Sequence, residues 1–425
     1  MANPRIHFPF GFWNELTDDG RLLFITRLAR LFAYGFLSVV LVLYLVQIGL
    51  NEIQAGALLT LTLVGDSVIT LWITTHADRY GRRKMLLVGA GLMLLAGILF
   101  ILTRNFLLLL FAATVGVISP SGNEVGPFLS IEQAALSQLV SDQRRTSIFA
   151  WYNLVGSFAT ALGAISSGVV VQLFLNAGHS ELAGYQAVIA GYAIFGLLLA
   201  VLFLRLSSKV EVAPLTSHPA GQPAAARDRL GLGTSRGTIL RLSALFSLDA
   251  FAGGFVIQSL VAYWFHIRFG LEPAVLGSIF FGANIMAGIS ALSAAWIARR
   301  IGLINTMVFT HLPSNVLLML IPLMPNLPLA VAVLLLRFSI SQMDVPTRQS
   351  YVMAVVTPEE RSSAAGVTGI ARTMGASISP IFTGLMLSNP ALASFPFLIA
   401  GGLKIVYDLI IWRSFSRVKP PEEQK

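Results

Sequence analysis

The twelve residues TTHADRYGRRKM at positions 74–85 hold four Arg or Lys side chains, one aspartate and one histidine. Apolar runs flank them on both sides, LLTLTLVGDSVITLWI at 58–73 and LLVGAGLMLLAGILFIL at 86–102. With the residues around them, these runs reach the length of about 20 residues that crosses the hydrocarbon core of a bilayer as a helix. The stretch therefore predicts a short charged loop between two membrane-spanning helices.

The composition of the whole chain agrees with that interpretation. Only 12% of the 425 residues are charged and the mean hydropathy is +0.76, whereas a soluble domain carries about 25% charged residues. The apolar runs are continuous, while a membrane barrel would show alternating strands of about ten residues, so the sequence predicts an all-α membrane protein. Cysteine is absent, which excludes disulfides and cysteine nucleophiles. Residues 1–21 are charged and show no A-x-A site, so no cleavable signal peptide is expected.

Twelve apolar runs predict twelve transmembrane helices. The predicted spans are 22–48, 53–75, 84–103, 106–140, 146–174, 184–206, 238–266, 273–298, 303–324, 328–356, 362–388 and 392–413. Basic residues gather in alternate connections, and the opposite connections hold only Arg104 and Arg268. The excess of Lys and Arg on the cytoplasmic side of membrane proteins predicts an integral protein of the inner (plasma) membrane with both termini in the cytoplasm. The net charge of +9 thus reflects topology, and no nucleic-acid partner is expected.

The chain divides into two similar halves. Residues 143–170 align with residues 359–386 at a constant offset that places Gly168 on Gly384, and a Pro-, Gly- and Ala-rich segment typical of a flexible linker separates the halves. We predict two pseudo-symmetric six-helix bundles produced by duplication. The predicted segments are a cytoplasmic N-terminal segment at 1–21, the first bundle at 22–207, the linker at 208–236, the second bundle at 237–413 and a cytoplasmic tail at 414–425.

Twelve spans in two halves, with this loop after span 2, resemble the major facilitator superfamily of secondary transporters. The positions that match the signature loop G-x-x-x-D-R-x-G-R-R-K of that family are Asp78, Arg79, Gly81, Arg82, Arg83 and Lys84. Thr74 departs from the pattern at the first glycine. The resemblance covers nearly the whole chain and implies alternating access to a central site.

The same resemblance implies a gating role for the loop. Asp78 would face the start of span 11 near Ser363, where unpaired helix N–H groups favour negative charge. Arg79 and Arg82 would join a charge network around it, and Gly81 would permit the tight turn. This network would hold the two halves together when the outside is open, and would break when the inside opens.

Span 4 is interrupted where a helix cannot continue. Residues 118–128, ISPSGNEVGPF, contain two prolines and two glycines, and proline in a helix interior removes a hydrogen bond and kinks the helix. Irregular backbone at membrane depth is tolerated where protein or a watery cavity covers it. Asn123 and Glu124 lie in this break, so we predict that they bind substrate or a coupling proton, although Glu124 at a simple kink near water is the alternative.

Charged residues within other spans are functional candidates because a charge at membrane depth is expensive. Arg337, Asp344 and Arg348 share one face of span 10, and Arg372 lies near the middle of span 11. An arginine there either holds an anionic substrate through its planar fork or forms an internal ion pair. We predict that Arg337, Asp344 and Arg372 belong to the substrate and coupling site.

Further charges suggest a proton carrier and inner gates. Asp66 in span 2 is a candidate carrier because burial favours the protonated carboxyl; an ion pair with an arginine is the alternative. The repeat places Arg30 opposite Asp249 and Glu132 opposite Arg348, each time with charges of opposite sign. We predict gates at these positions, including an ion pair between Arg30 and Asp249 across the two halves.

These features predict a secondary active transporter of a small solute, with proton-coupled efflux as the first interpretation. The alternative is an importer or uniporter of a small polar or anionic solute. The predicted spans contain no P-loop, G-x-S-x-G or H-E-x-x-H motif, so neither ATP hydrolysis nor an enzymatic activity is expected. No cofactor or metal is expected, and the expected partners are the solute, protons and the lipid bilayer around a monomer.

Overall fold

A computed structural model describes residues 13, 16–123, 126–140, 142–211, 233, 235–357 and 360–416, apart from the side chains of residues 75, 78, 142–147, 150 and 362. Helices dominate this part of the chain, with two short 3-10 turns at Ser208–Val210 and Ile321–Leu323. The helices are α1 (Asp18–Ser38), α2 (Leu41–Gln47), α3 (Glu52–Tyr80), α4 (Arg82–Leu102), α5 (Phe106–Val115), α6 (Phe128–Leu139), α7 (Asp142–Asn176), α8 (Glu181–Leu204), α9 (Arg236–Gly254), α10 (Gln258–Phe269), α11 (Pro273–Ile301), α12 (Leu303–Leu320), α13 (Leu327–Ser341), α14 (Asp344–Ala354), α15 (Arg361–Leu387) and α16 (Phe395–Phe415).

The membrane spans agree with the sequence prediction of an all-α membrane protein. Nine described segments are long and apolar enough to cross a bilayer, and α1 with α2, bent by 44°, make a tenth. Span 4 falls short of this standard because it is split into α5 and α6. Span 11, which is α15, is long but rich in Gly, Ser and Thr. The predicted count of twelve is consistent with these helices.

Four spans are broken, and they are the first and fourth of each half. The breaks separate α1 from α2, α5 from α6, α9 from α10 and α13 from α14. The sequence predicted the break in span 4 from its prolines, and Pro346 lies in the first turn of α14, directly after the break in span 10. The breaks in spans 1 and 7 follow the shared Gly-Phe steps at Gly35 and Gly254.

Close helix contacts repeat at the same positions in both halves. A Cβ on Gly35 would collide with Thr160 O, and a Cβ on Gly254 would collide with Ala376 O. Only glycine allows the backbones of α1 and α7, or of α9 and α15, to approach this closely. The repeated contacts support two pseudo-symmetric bundles.

We call the side on which the chain passes from the first half to the second the linker face, and the opposite side the distal face. On the linker face, Asp19 accepts hydrogen bonds from Ser207 N at 2.9 Å and from its hydroxyl at 2.5 Å. The loop between α3 and α4 turns there at Gly81, with φ +102°, and the matching loop between α11 and α12 turns at Gly302, with φ +86°. The glycine turn predicted at position 81 is therefore present, together with a copy in the second half.

The halves contact each other toward the distal face. Ser38 Oγ accepts from Gln258 Nε2 at 2.8 Å, and Pro120 O accepts from Ser259 N at 3.1 Å. Tyr263 donates its hydroxyl hydrogen to Glu52 Oε1 at 2.7 Å. We call this set of contacts the distal closure.

Close backbone contacts within the distal closure also follow the repeat. A Cβ on Gly56 would lie 3.0 Å from the Cα of Gly384, which brings α3 and α15 into backbone contact. A Cβ on Gly168 would lie 2.5 Å from Pro273 O, which does the same for α7 and α11. Gly168 and Gly384, aligned by the repeat, thus occupy equivalent places in the interface.

The same helices separate toward the linker face. Leu71 on α3 and Ile370 on α15 lie roughly on the faces that meet at the distal closure, yet these side chains are 48% and 45% exposed. No described atom lies within 4 Å of a Cβ built on Gly366, which is about five helical turns from Gly384 on the same face of α15. The halves are therefore closed at the distal face and parted at this level.

Candidate functional site

A buried ion pair joins α1 to α6 in the first half. Arg30 Nη1 and Nη2 donate to Glu132 Oε1 and Oε2, each at 2.7 Å, and both side chains are fully buried. Thr26 Oγ1 also donates to Glu132 at 2.9 Å, and the Tyr152 hydroxyl donates to the same carboxylate. We call Arg30 and Glu132, together with the supporting donors Thr26 and Tyr152, the first-half ion pair. The two-pronged geometry with additional donors is what allows a charge pair to remain stable away from water.

Asp66 lies close to the break in span 4. It is buried at 5% exposure on α3, and a Cβ on Gly126 would lie 3.7 Å from its Oδ1. The break predicted from sequence and the predicted proton carrier thus come together. Glu124 lies outside the described residues, and Asn123 is exposed.

Several backbone carbonyls freed by this break are bound by the protein itself. Tyr192 donates its hydroxyl hydrogen to Val117 O, and Thr160 donates to Gly122 O at 3.3 Å. Ser119 Oγ donates to Asn123 O at 2.7 Å, and Pro120 O belongs to the distal closure. These carbonyls therefore stabilise the break and the contact between the halves.

The second half contains a larger group of buried charges centred on Asp249. Lys404 Nζ lies 2.5 Å from Asp249 Oδ1, and Arg348 Nη1 lies 3.1 Å from Oδ2. Arg348 also donates to Asp344 Oδ2 at 2.9 Å. Arg372 Nη1 is 3.7 Å from Asp249 Oδ2 without a hydrogen bond among the described residues, and its side chain is 33% exposed.

Four residues of this region were not singled out from the sequence. His311 Nδ1 lies 2.9 Å from Asp408 Oδ1, and Asn315 Nδ2 donates to Asp408 Oδ2 at 2.8 Å. Lys404 and Asp408 are charged residues four positions apart within span 12. The argument that identified Arg337 and Arg372, namely that a charge at membrane depth is expensive, would also have identified these two. Asn315 and His311 carry no obligatory charge, and only the structure shows their partners.

Arg337 differs from the other arginines of the second half. It is partly buried on α13, and its Nε is shielded from solvent without a hydrogen bond. Its guanidinium lies 5.0 Å from the Phe338 ring centre and interacts electrostatically with Asp344 and Asp249. No described residue forms a salt bridge with it.

We call Asp249, His311, Asn315, Arg337, Asp344, Arg348, Arg372, Lys404 and Asp408 the second-half cluster. It contains four permanent cations and three carboxylates, so with neutral imidazole it carries one uncompensated positive charge. The cluster spans six helices, which are α9, α12, α13, α14, α15 and α16. A buried positive charge without a counter-ion is unfavourable, and it suits a site that receives a negative group.

The structure corrects the predicted ion pair between the halves. Arg30 pairs with Glu132 and Asp249 pairs with Arg348, each within its own half. Arg30 and Asp249 occupy equivalent positions related by the internal pseudo-symmetry, and equivalent positions are held apart by that symmetry. The repeat therefore preserved a pair between the first and fourth spans while exchanging the signs of its members.

The signature loop is only partly described. The side chain of Asp78 lies outside the described residues, and Arg79 is exposed with its guanidinium 5.6 Å from the Tyr80 ring centre. Arg82 is buried, and its N–H donates to Glu211 Oε2 at 2.6 Å. Glu211 also accepts from Arg83 N at 3.2 Å, so this carboxylate caps the start of α4. The latch between the halves stays a prediction.

Comparisons with known proteins agree with this architecture. The model of the Major Facilitator Superfamily matches residues 23–380. The chain is 33% identical over 419 residues to the uncharacterized membrane protein YJR124C of Saccharomyces cerevisiae, and the match covers 92% of this chain and 93% of that protein.

Solved structures share the fold at low sequence identity. The nucleoside transporter NupG, in a mutant form, superposes with a TM-score of 0.72 at 14% identity, covering 94% of this chain and 100% of that chain. A D-xylose-proton symporter superposes with a TM-score of 0.69 at 15% identity, covering 96% and 99%.

Proposed function

The chain belongs to the major facilitator superfamily, a family of membrane transporters, and on that premise we propose that it exports a small solute in exchange for protons. The protein works as a monomer in the inner (plasma) membrane. The excess of basic residues in alternate connections supports a cytoplasmic linker face with both termini on that side.

Alternating access is supported by the packing of the two halves, which are in close contact at the distal face and parted at the level of Leu71 and Ile370. The distal closure joins them at Gly56 and Gly384, while Leu71 and Ile370 on the same two helices are about half exposed. With the linker face in the cytoplasm, this arrangement is the inward-facing state. Rocking the halves about the site exposes it to the other side.

The ion pairs between the first and fourth spans act as gating elements. Arg30 with Glu132 and Asp249 with Arg348 fasten the linker-side parts of broken spans to one another. Each half then moves as a unit on that side, and the breaks in the spans absorb the change in direction. The loop at Asp78 adds the latch that closes the cytoplasmic side.

Proton coupling is supported by carboxylates placed at membrane depth. Asp66 is buried beside the break of span 4, and Glu124 lies in the same break by sequence. The protein lacks a P-loop, so an ion gradient is the remaining source of energy for uphill transport. A carboxylate that binds a proton and releases it to the other side supplies that coupling.

A second candidate function is favoured by Arg337. Its Nε is shielded without a hydrogen bond, and the second cation, Arg372, is partly exposed. A guanidinium with unused donors suits a carboxylate or phosphate. This observation favours an importer or uniporter of a small anionic solute.

Growth on a panel of toxic solutes separates the two functions. The panel holds antibiotics, dyes, metalloid oxyanions and toxic anions. Cells expressing the wild type are compared with cells expressing Asp66→Asn or Arg337→Gln at equal membrane level. Resistance that Asp66→Asn abolishes supports proton-driven export, and sensitisation that Arg337→Gln abolishes supports uptake of an anion. No effect of the wild type on any solute would contradict both proposals.

A further inference from the structure

We propose that His311 is a proton-binding residue of the transport cycle, with its Nε2 as the position that the proton occupies. The proposal rests on the proposed proton coupling and adds a site in the second half to the carboxylates of the first. His311 is 4% exposed on α12, and the site depends on its position between two carboxylates of two other helices.

The contacts of the imidazole define which nitrogen is vacant. Nδ1 lies 2.9 Å from Asp408 Oδ1 and 3.3 Å from Asn315 Nδ2. The shorter contact is with a carboxylate, which accepts a hydrogen bond, so we assign the hydrogen of the neutral ring to Nδ1. Asn315 donates to the other oxygen of Asp408 at 2.8 Å, which fixes this carboxylate as an acceptor. Nε2 then carries a lone pair that accepts no hydrogen bond from the described residues, and this nitrogen lies 3.9 Å from Asp249 Oδ1.

A proton on Nε2 would create an imidazolium between two carboxylates. The new N–H bond forms as a hydronium ion gives up its proton, so one O–H bond breaks and a water molecule remains. Histidine suits this task because its unperturbed charge change falls between about pH 5 and pH 8.

Asp408, Asp249, Asn315 and Tyr407 lie next to this histidine. Further charged groups surround these neighbours, and they are Arg337 on α13, Asp344 and Arg348 on α14, Arg372 on α15 and Lys404 on α16. The cations oppose protonation and the carboxylates favour it. Whether His311 binds a proton therefore depends on whether Asp249 pairs with Lys404 or with His311.

Protonation changes the contacts of Asp249. Lys404 and His311 both approach its Oδ1, at 2.5 Å and 3.9 Å, so an imidazolium competes with the ammonium for one oxygen. Asp249 also holds Arg348 and lies near the partly exposed Arg372. A proton at His311 is thereby transmitted to Arg348 on α14 and to Arg372 on α15, and α15 also bears Ile370 and Gly366 where the halves are parted.

A purely structural role for His311 makes a different prediction. The Nδ1 hydrogen bond to Asp408 joins α12 to α16, and an asparagine side chain can donate the same bond. His311→Asn therefore preserves the link between the helices and removes the vacant, basic nitrogen. A structural histidine would tolerate this change without altering any response to pH.

The test is the distance between the linker-face ends of the halves as a function of pH. The chain has no cysteine, so Tyr80→Cys and Ile301→Cys, which are 49% and 42% exposed at the ends of α3 and α11, accept spin labels without background. Double electron–electron resonance spectroscopy then measures the distance between the two spin labels, in protein reconstituted in lipid, between about pH 5 and pH 8. We expect the distance between the two labels to change with pH in the wild-type background. The same change is expected in the control His179→Gln, which lies on an exposed distal loop.

His311→Asn should abolish this shift. The same titration in His311→Asn as in the control, or no shift in the wild type, would overturn the proposal. Lys404→Gln provides a second variant if His311→Asn does not fold. Without the competing ammonium, the response of the distance to pH should differ from that of the wild type, and an identical response would also overturn the proposal.

Transport separates this inference from the proposed function. Uphill transport driven by a pH gradient that persists in His311→Asn would refute the site and leave proton coupling intact. Wild-type transport that ignores the pH gradient would refute the coupling itself.

Discussion

The first-half ion pair and the second-half cluster descend from equivalent positions of one repeat, yet their environments differ. In the first half, Arg30 and Glu132 are fully buried and bind through two parallel hydrogen bonds. In the second half, the signs are exchanged, and Asp249 is shared among Lys404, Arg348 and more distant cations.

This difference separates stability from chemistry. A closed pair with matched charges has a single favourable arrangement, and it fixes α1 to α6. A carboxylate shared among several cations has alternative arrangements of similar energy, which a proton or an anionic solute can select. The duplication thus provides one half with a rigid joint and the other half with a joint that responds to ligands.

The largest expected effect is on folding, from Glu132→Gln. It leaves Arg30 buried without a counter-ion, and breaking a buried pair costs about 3–5 kcal/mol. We expect a strongly reduced yield and a lowered unfolding temperature in detergent, measured by the loss of monodisperse protein on heating.

The double variant Arg30→Asp with Glu132→Arg copies the polarity of the second half. It should recover part of the stability lost in Glu132→Gln, because the buried charges are again matched. Stability of Glu132→Gln equal to that of the wild type would show that the first-half ion pair is not a structural joint.

The next effect is on transport, from Arg337→Gln. Removing one charged partner of a buried contact costs about 2 kcal/mol or more, which corresponds to a loss of about thirtyfold or more in apparent solute affinity. Folding should be unaffected, since Arg337 has no described hydrogen bond or salt bridge to lose. The apparent affinity is measured by uptake or efflux in cells, and the stability of the fold is measured by thermal unfolding of the purified variant. A destabilised protein would place Arg337 among the structural residues instead.

A smaller effect is expected on the balance between conformations, from Gly384→Leu. The new side chain collides with α3 at Gly56 and should weaken the distal closure by about 1–3 kcal/mol, the usual size of a coupling between states. A cysteine placed at Ser38 should then react faster with a membrane-impermeant maleimide from outside. Gly402→Ala, which has open space around its Cβ, is the control, and equal labelling of both variants would contradict the closure.

The smallest effect is expected from Glu211→Gln at the linker face. The carboxylate caps α4 through Arg82 N and Arg83 N, and a charge at a helix N-terminus contributes about 0.3–1 kcal/mol. A slightly lowered unfolding temperature with unchanged transport should result. A complete loss of transport would instead place Glu211 in the gate.

The sequence predicted the architecture because its signals can be found along the chain itself. Hydropathy and loop charge are properties of short segments, and the repeat has a constant offset. Prolines revealed the break in span 4, and the alignment placed Gly168 and Gly384 at equivalent contacts. The partners of Arg30 and Asp249 were predicted wrongly, because an alignment identifies equivalent positions and contains no information on which positions touch.

The second-half cluster shows a different limit. Lys404 and Asp408 were detectable as charges within a span, but the contact of His311 with Asp408 depends on how α12 packs against α16. A neutral histidine in an apolar run gives no sign of such a partner. The substrate likewise depends on the shape and charge of a cavity formed by several helices.

The most direct test of the account measures proton movement in proteoliposomes that hold a pH-sensitive dye and an imposed pH gradient. Solutes that alter growth are added one at a time to the wild type, Arg337→Gln and His311→Asn, all matched for folded protein. The account predicts that a solute dissipates the gradient with the wild type and that both variants fail to do so. Solute movement without proton movement, or wild-type rates in both variants, would contradict a proton-coupled transporter in which Arg337 and His311 take part in the transport cycle.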